Sequence, residues 1–304
     1  VVIAMAVMAL GVAGGIEKAN KVMMPGFFLL FVGLAVYVAF QPGSGEGYKY
    51  IFTINPKGLL NPRLWIYAFG QAFFSLSIAG NGTVIYGSYL SETEDVVSSA
   101  RNVAIFDTLA ALLASFVIIP GMAVGGAELS SGGPGLMFVS LPKIFEAMGV
   151  AGPVIGTIFF LMVSFAAVTS SVSVMESIVS NIIDRFHVSR KKGTVLVTIY
   201  ACIVGVIVCL GYNVLYFELK LPNGAVAQIL DLMDYLSNNL LMPTVALLSC
   251  ILIGWVVKPQ TIIDEVTIGG YKFGRKKLYI VMVKFIAPVL LAALLLQSLG
   301  VFSL

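Results

Sequence analysis

The residues of this chain most able to do chemistry lie inside its most apolar stretches. Gly70-Gln71-Ala72-Phe73-Phe74-Ser75-Leu76-Ser77-Ile78-Ala79-Gly80-Asn81-Gly82-Thr83 brings amides, hydroxyls and two glycines around an asparagine into one apolar run. Glycine costs about 1 kcal/mol against alanine in a helix interior. The cluster therefore reads as a helix broken at mid-depth, whose freed carbonyls and amides can bind an ion or a substrate. Close packing of small residues at a helix crossing is the rival reading. Asn81-Gly82-Thr83 matches a glycosylation sequon, but its place inside an apolar span argues against a glycan.

Asp107 stands in Ala104-Ile105-Phe106-Asp107-Thr108-Leu109. A carboxylate near a bilayer centre costs roughly 2.5–3.5 kcal/mol on insertion scales, so it is expected to be paired, ligated or facing water. A shallow, interfacial Asp is the alternative. Further on, Ala166, Thr169, Ser170 and Ser173 follow i, i+3, i+4, i+7 spacing and share one helical face. Hydroxyls and carbonyls on one stripe are hard oxygen ligands for an alkali cation, and they also serve to glue helices together. Glu176 continues the stripe, either as a vestibule charge or as a structural hydrogen-bond partner. No catalytic constellation emerges, and the chain is not expected to be an enzyme. The single His187 lies in a basic loop without a nucleophile beside it, and Gly43-Ser44-Gly45-Glu46-Gly47 follows no strand that would make it a phosphate cradle.

Membrane-spanning helices must position these groups. Of 304 residues, 59% are hydrophobic and 11% charged, against roughly a quarter charged in a soluble domain. With a mean hydropathy of +1.00, a core of this size could not hide the apolar surface, so a lipid bilayer must solvate it. Cys202, Cys209 and Cys250 show no pairing or ligand pattern and read as small core residues. No basic run with interleaved aromatics suggests nucleic acid. Spans of about 20 apolar residues fall at roughly 1–14, 22–41, 64–90, 102–124, 152–184, 194–215, 227–257 and 278–302. The first of these is cut short, so the chain reads as N-terminally incomplete. Alternate loops then carry twelve Lys and Arg on one side against five on the other, which places the basic side in the cytoplasm. Lys284, left inside the last span, is expected to snorkel toward its basic flank.

The residues also resemble a known family. Gly70 to Ser77, Tyr86-Gly87-Ser88-Tyr89-Leu90 and Ala166-Ala167-Val168-Thr169-Ser170-Ser171 are similar to the sixth and eighth helices of the neurotransmitter:sodium symporters. Gly15 to Pro25 resembles their fourth-to-fifth helix connection, and Gly133 to Pro142 their re-entrant extracellular loop. The matches run in family order along nearly the whole chain. The resemblance implies an all-α polytopic membrane protein with a partial LeuT-type fold, a single transmembrane domain over 1–304 holding the family's fourth to eleventh helices. Inverted repeats and broken helices are known features of that family.

The resemblance further implies two sodium sites, one at Ser75 and Asp107, the other at Ala166, Thr169 and Ser170. Substrate contacts would be Phe74, Ser75, Ser77, Ile78, Gly80, Ser170 and Val174. Asp234 matches the extracellular gate acid, while Tyr89 and Asp184 match the cytoplasmic gate. Many members carry Asn where this chain has Asp107, and Ala111 replaces the Ser or Glu common one turn later. A fixed charge at Asp107 could balance sodium, so chloride is expected not to be required. Gly80 stands where several members have a bulky side chain, leaving room for a large or aromatic amino acid. The implied activity is sodium-coupled amino-acid symport by alternating access in the plasma (inner) membrane. The alternatives are a proton-coupled symporter using Asp107 or Glu176, a transporter-derived sensor, and a structural remnant. Oligomeric state is not legible in the sequence.

Overall fold

The computed structural model describes residues 2–10, 12–78, 82–91, 93–126, 128–129, 138, 141–222 and 224–301. Helices dominate. In chain order they are α1 (Val2–Ala9), α2 (Glu17–Ala39), α3 (Ser44–Phe52), α4 (Pro62–Ser75), α5 (Gly82–Ser88), α6 (Val96–Val124), α7 (Leu141–Ala147), α8 (Gly152–Phe186) and α9 (Arg190–Leu210). A two-residue antiparallel pair follows, β1 (Leu219–Lys220) with β2 (Val226–Ala227). The remainder is α10 (Ile229–Asp234), α11 (Met242–Ile251), α12 (Pro259–Glu265), α13 (Lys276–Val281) and α14 (Ala287–Ser298).

Wider π-wound segments fuse several of these into longer runs. Tyr235–Leu241 and Leu252–Val257 extend α10 and α11 into one rod, and Met282–Ile286 joins α13 to α14. Two of these segments lead into a proline in the continuing helix, Pro243 and Pro288, whereas Leu252–Val257 ends at Lys258 and Pro259 opens the next helix. A proline ring collides with the carbonyl four residues before it and lacks an N–H to bond it. Winding the preceding turn wider draws that carbonyl aside, which accounts for the positions of Tyr235–Leu241 and Met282–Ile286.

Among the described residues six helical runs are long and apolar enough to cross a membrane: Gly14–Ala39, Val96–Val124, Gly149–Phe186, Arg190–Leu210, Ile229–Val257 and Lys276–Ser298. Eight spans were expected. The two that do not form single long helices are the first, which contains the 8-residue α1, and 64–90, which is split into α4 and α5. The break expected from the glycines and polar residues is thus present.

The chain forms two compact units, one from residues 1–55 and 105–198, the other from 56–104 and 199–304. In the first, α2, α6, α7 and α8 close around Phe31, Leu34, Val117, Phe145, Phe159 and Met162. Phe27 and Phe31 meet at a tilt with centroids 4.6 Å apart, as do Phe145 and Phe159 at 5.5 Å. The short α3 lies on α6 so closely that a Cβ on Gly47 would stand 2.5 Å from the Pro120 Cα. That approach also mends a backbone defect. Pro120 cannot donate to the Phe116 carbonyl, and the Tyr48 hydroxyl donates to it instead at 3.4 Å.

In the second unit, α4, α11 and α14 meet at Ala246, Ala287 and Leu291, with Phe69 and Phe73 packed against them. Gly70 admits Leu294, whose nearest methyl would lie 3.1 Å from an added Cβ, so this glycine serves packing within α4. The β-hairpin closes a smaller cluster of Leu221, Ala227 and Tyr235, and the Tyr235 hydroxyl donates to the Ser298 carbonyl at 2.8 Å.

Outward faces remain apolar. On α9, Leu196, Ile199, Ile203 and Val206 are exposed, as suits a surface solvated by lipid. Cys202 and Cys209 lie on this helix and are exposed, and Cys250 is only partly buried. The expectation that all three are core residues is therefore corrected. A thiol behaves as a small apolar group and is as well solvated by hydrocarbon as by a protein interior.

Candidate functional site

The break between α4 and α5 is built from backbone hydrogen bonds. The Ser77 N–H donates to the Phe74 carbonyl at 3.0 Å, and the Ile78 N–H reaches back to the Phe73 carbonyl at 3.3 Å. Ser77 itself has φ +52. This is a Schellman ending, with Ser77 in the left-handed position usually given to glycine. A side chain there is disfavoured, so α4 stops at a fixed point in the span at some cost. The Thr83 hydroxyl, on α5, donates back to the Ser77 carbonyl at 3.5 Å and ties the two half-helices together. Phe74, Ser75, Ser77 and Ile78 are all exposed around this ending. Gly80 and Asn81 lie outside the described residues, as does most of the loop from Gly133 to Pro142.

Phe74 and Asp234 face a common space inside the second unit. A cavity of about 1120 Å³ opens between α4, the hairpin, the π-wound turn after α10 and the end of α14. Most of its lining residues are apolar or aromatic, with Gln71, Asp234, Asn238, Asn239, Gln297 and Ser298 supplying the polar groups. The Asn238 amide donates to Asp234 at 2.5 Å, and the Gln297 amide donates to the Tyr67 hydroxyl at 2.9 Å. The amides of Asn238 and Gln297 were not anticipated. Asn238 could have been found from its i+4 relation to Asp234, and Gln297 from being an amide inside an apolar run. Tyr89, the other gate residue of this unit, follows α5 and is 38% exposed.

The first unit holds the hydroxyl stripe. Thr169 is buried, and its hydroxyl donates to the carbonyls of Phe165 and Ala166, each at 3.0 Å. Ser173 donates to the Thr169 carbonyl at 3.1 Å, and Ser177 to the Ser173 carbonyl at 3.1 Å. A hydroxyl that spends its proton on the helix still has lone pairs to offer a cation. Ser170 and Val174 lie on the exposed side of α8, as does Asp184 near its end. Asp107 is half-buried in the middle of α6. Of the pair expected at one sodium site, Ser75 belongs to the second unit and Asp107 to the first.

Glu176 has a definite role here. It is 0% exposed, and its Oε2 accepts from the Arg190 guanidinium at 2.6 Å. Arg190 Nε also donates to the Met8 carbonyl at 3.1 Å, so one side chain fastens α1, α8 and α9. Of its two open readings, the structural partner is the one realised.

Long apolar helices, one of them interrupted, and an apolar exterior define a multi-pass membrane protein. The profile of the Sodium:neurotransmitter symporter family matches residues 1–303, and the chain belongs to that family. Among its relatives, an uncharacterised sodium-dependent transporter of Methanocaldococcus jannaschii is 30% identical over 295 residues, covering 94% of this chain and 57% of the relative. The uncharacterised sodium-dependent transporter YhdH of Bacillus subtilis is 32% identical over 303 residues, covering 98% and 64% respectively. The crystal structure of MhsT in complex with L-phenylalanine is similar with a TM-score of 0.84 and 31% identity, over 98% of this chain and 66% of that one. The chain thus spans 57% to 64% of the length of these two curated relatives.

Proposed function

We propose that the protein is a sodium-coupled amino-acid symporter of the plasma (inner) membrane, working by alternating access. The observation that carries this reading is the Schellman ending of α4 at Ser77, in the middle of an apolar span. A helix that stops there turns its carbonyl end, with its partial negative charge, toward a cation. Hard oxygens complete the chemistry. Ser75 and Asp107 would serve one sodium ion, and Ala166, Thr169 and Ser170 a second. At the latter, the Thr169 hydroxyl and Ala166 carbonyl already sit 3.0 Å apart. The amino acid would contact Phe74, Ser75, Ser77, Ile78, Gly80, Ser170 and Val174, with Asp234 as external gate and Tyr89 and Asp184 as the cytoplasmic one.

Sodium drives uptake only if it binds one state of the carrier more tightly than the other. Family membership supports sodium as the coupling ion. The phenylalanine bound to MhsT supports a large or aromatic amino acid as the cargo. Asp107 would replace chloride as the balancing charge. Of the two acids considered for proton coupling, Glu176 is sealed from water and held by Arg190, which leaves it ill placed to carry protons.

The test is amino-acid uptake into proteoliposomes by the chain with its native flanking sequence, with sodium or choline outside. Uptake of large neutral or aromatic amino acids with sodium only is expected, unchanged when gluconate replaces chloride. Uptake equal in choline would refute sodium coupling. A drop on chloride removal would refute the role given to Asp107. Preference for glycine or alanine would refute the proposed cargo size.

A further inference from the structure

Among the described residues, Lys284 is a cation inside a membrane span and enters no ion pair. Lys284 lies in the π-wound segment Met282–Ile286, seven residues beyond Lys277 and so about 10 Å deeper along the helix. Among the described residues the ion pairs are Lys21 with Glu17 and Arg190 with Glu176, and Lys284 enters neither. Its stem lies on Gly254, where an added Cβ would stand 3.4 Å from both Cα and Cγ of the lysine. The ammonium rests over the Trp255 ring, 5.6 Å from its centroid. The expected snorkelling therefore has a defined end point, an indole three residues before Lys258.

Trp255 is 57% exposed, and Phe285 meets it edge-on at 5.8 Å. Among the described residues the Trp255 indole N–H has no hydrogen-bond acceptor, so it and the Lys284 ammonium are two neighbouring donors on an outward face. Both helices are π-wound at this point, over Leu252–Val257 and Met282–Ile286. The segment that joins the two runs carries Lys258, Lys272, Arg275, Lys276 and Lys277, all exposed, whereas residues 258–284 hold only Asp264 and Glu265 as acids. Asp264 is already engaged by the Gln260 amide at 2.6 Å.

We propose that this face, where the Ile229–Val257 run meets the Lys276–Ser298 run, seats the phosphate of an anionic lipid headgroup in the basic-side leaflet. Lys284 and the Trp255 indole are its deep contacts, and the Lys258 and Arg275–Lys277 cations hold the headgroup from the water side. Charge complementarity favours this occupant. The face is positive, lies at the aromatic and basic border of the bilayer, and its flank is the one that the charge asymmetry assigns to the cytoplasm, where anionic lipids gather.

The chain contains two tryptophans, Trp65 and Trp255, which makes the test direct. The Trp65→Phe protein leaves Trp255 as sole reporter in vesicles of phosphatidylcholine mixed with phosphatidylglycerol, one or the other brominated to quench it. Brominated phosphatidylglycerol is expected to quench Trp255 beyond its share of the bilayer, giving a relative association about fivefold above phosphatidylcholine. Lys284→Gln should bring that ratio close to one, and Lys284→Arg should keep most of it. Equal quenching by the two lipids, or a preference that survives Lys284→Gln, would overturn the proposal. Loss of the preference on adding inorganic phosphate at constant ionic strength would assign the donors to a soluble phosphate, and would overturn it too.

Discussion

The two helical regions proposed to bind sodium expose oxygen atoms by opposite means. α8 runs unbroken for 35 residues, and its offered groups are side-chain hydroxyls folded back onto their own helix. The α4–α5 region gives up continuity and offers the backbone itself at a left-handed turn on Ser77. The first arrangement loses no helical hydrogen bonds, so its hydroxyls are compatible with a purely structural role. The second sacrifices helical bonds inside a low-dielectric span, a loss that only a compensating ligand or a local cap can make tolerable. Here the Ser77 and Ile78 N–H groups supply such a cap to the Phe74 and Phe73 carbonyls.

If that contrast is right, the two regions should respond differently to substitution. The largest effect is expected at the far end of α8. Arg190→Ala would take the guanidinium away from the Glu176 carboxylate, which is 0% exposed, and should lower stability by about 3–5 kcal/mol, read as a large fall in thermal midpoint in detergent. Next comes the break. Ser77→Val would force a β-branched residue into φ +52 and should cost about 1–3 kcal/mol by the same measurement. Ser77→Gly removes that strain and should raise stability by about 0.5–1 kcal/mol. A destabilised glycine variant would mean that the Ser77 side chain, not its backbone, holds the turn. The smallest change is Tyr48→Phe, which leaves the Phe116 carbonyl without its hydroxyl donor and should cost about 1 kcal/mol.

How much of this was legible in the sequence follows the same division. The break announced itself because Ser75, Ser77, Gly80, Asn81 and Gly82 together contradict a lipid-exposed helix. The stripe on α8 was legible as a face, since i, i+3, i+4 spacing fixes which residues align, but its hydrogen bonding was not. The sequence leaves Glu176 with two readings because its partner, Arg190, lies on the next helix, and contacts between helices leave no periodic trace. The same holds for Tyr48, whose hydroxyl answers a proline 72 positions away. Lys284 was expected to reach the basic flank, yet the stacking on Trp255 depends on how two runs meet at Gly254. The outward cysteines show a further limit. Composition shows that a span is apolar without showing which of its faces meets protein and which meets lipid.

The most direct test of sodium coupling is equilibrium binding of labelled phenylalanine, by the chain with its native flanking sequence, across a range of sodium concentrations. Wild-type binding should rise with sodium. Thr169→Val, which removes one hydroxyl from an intact helix, should require about tenfold more sodium to reach half of maximal binding, on the order of 1.4 kcal/mol of lost ion affinity. Binding that ignores sodium, or a Thr169→Val protein that titrates like the wild type, would contradict the assignment of α8 as a sodium-binding helix.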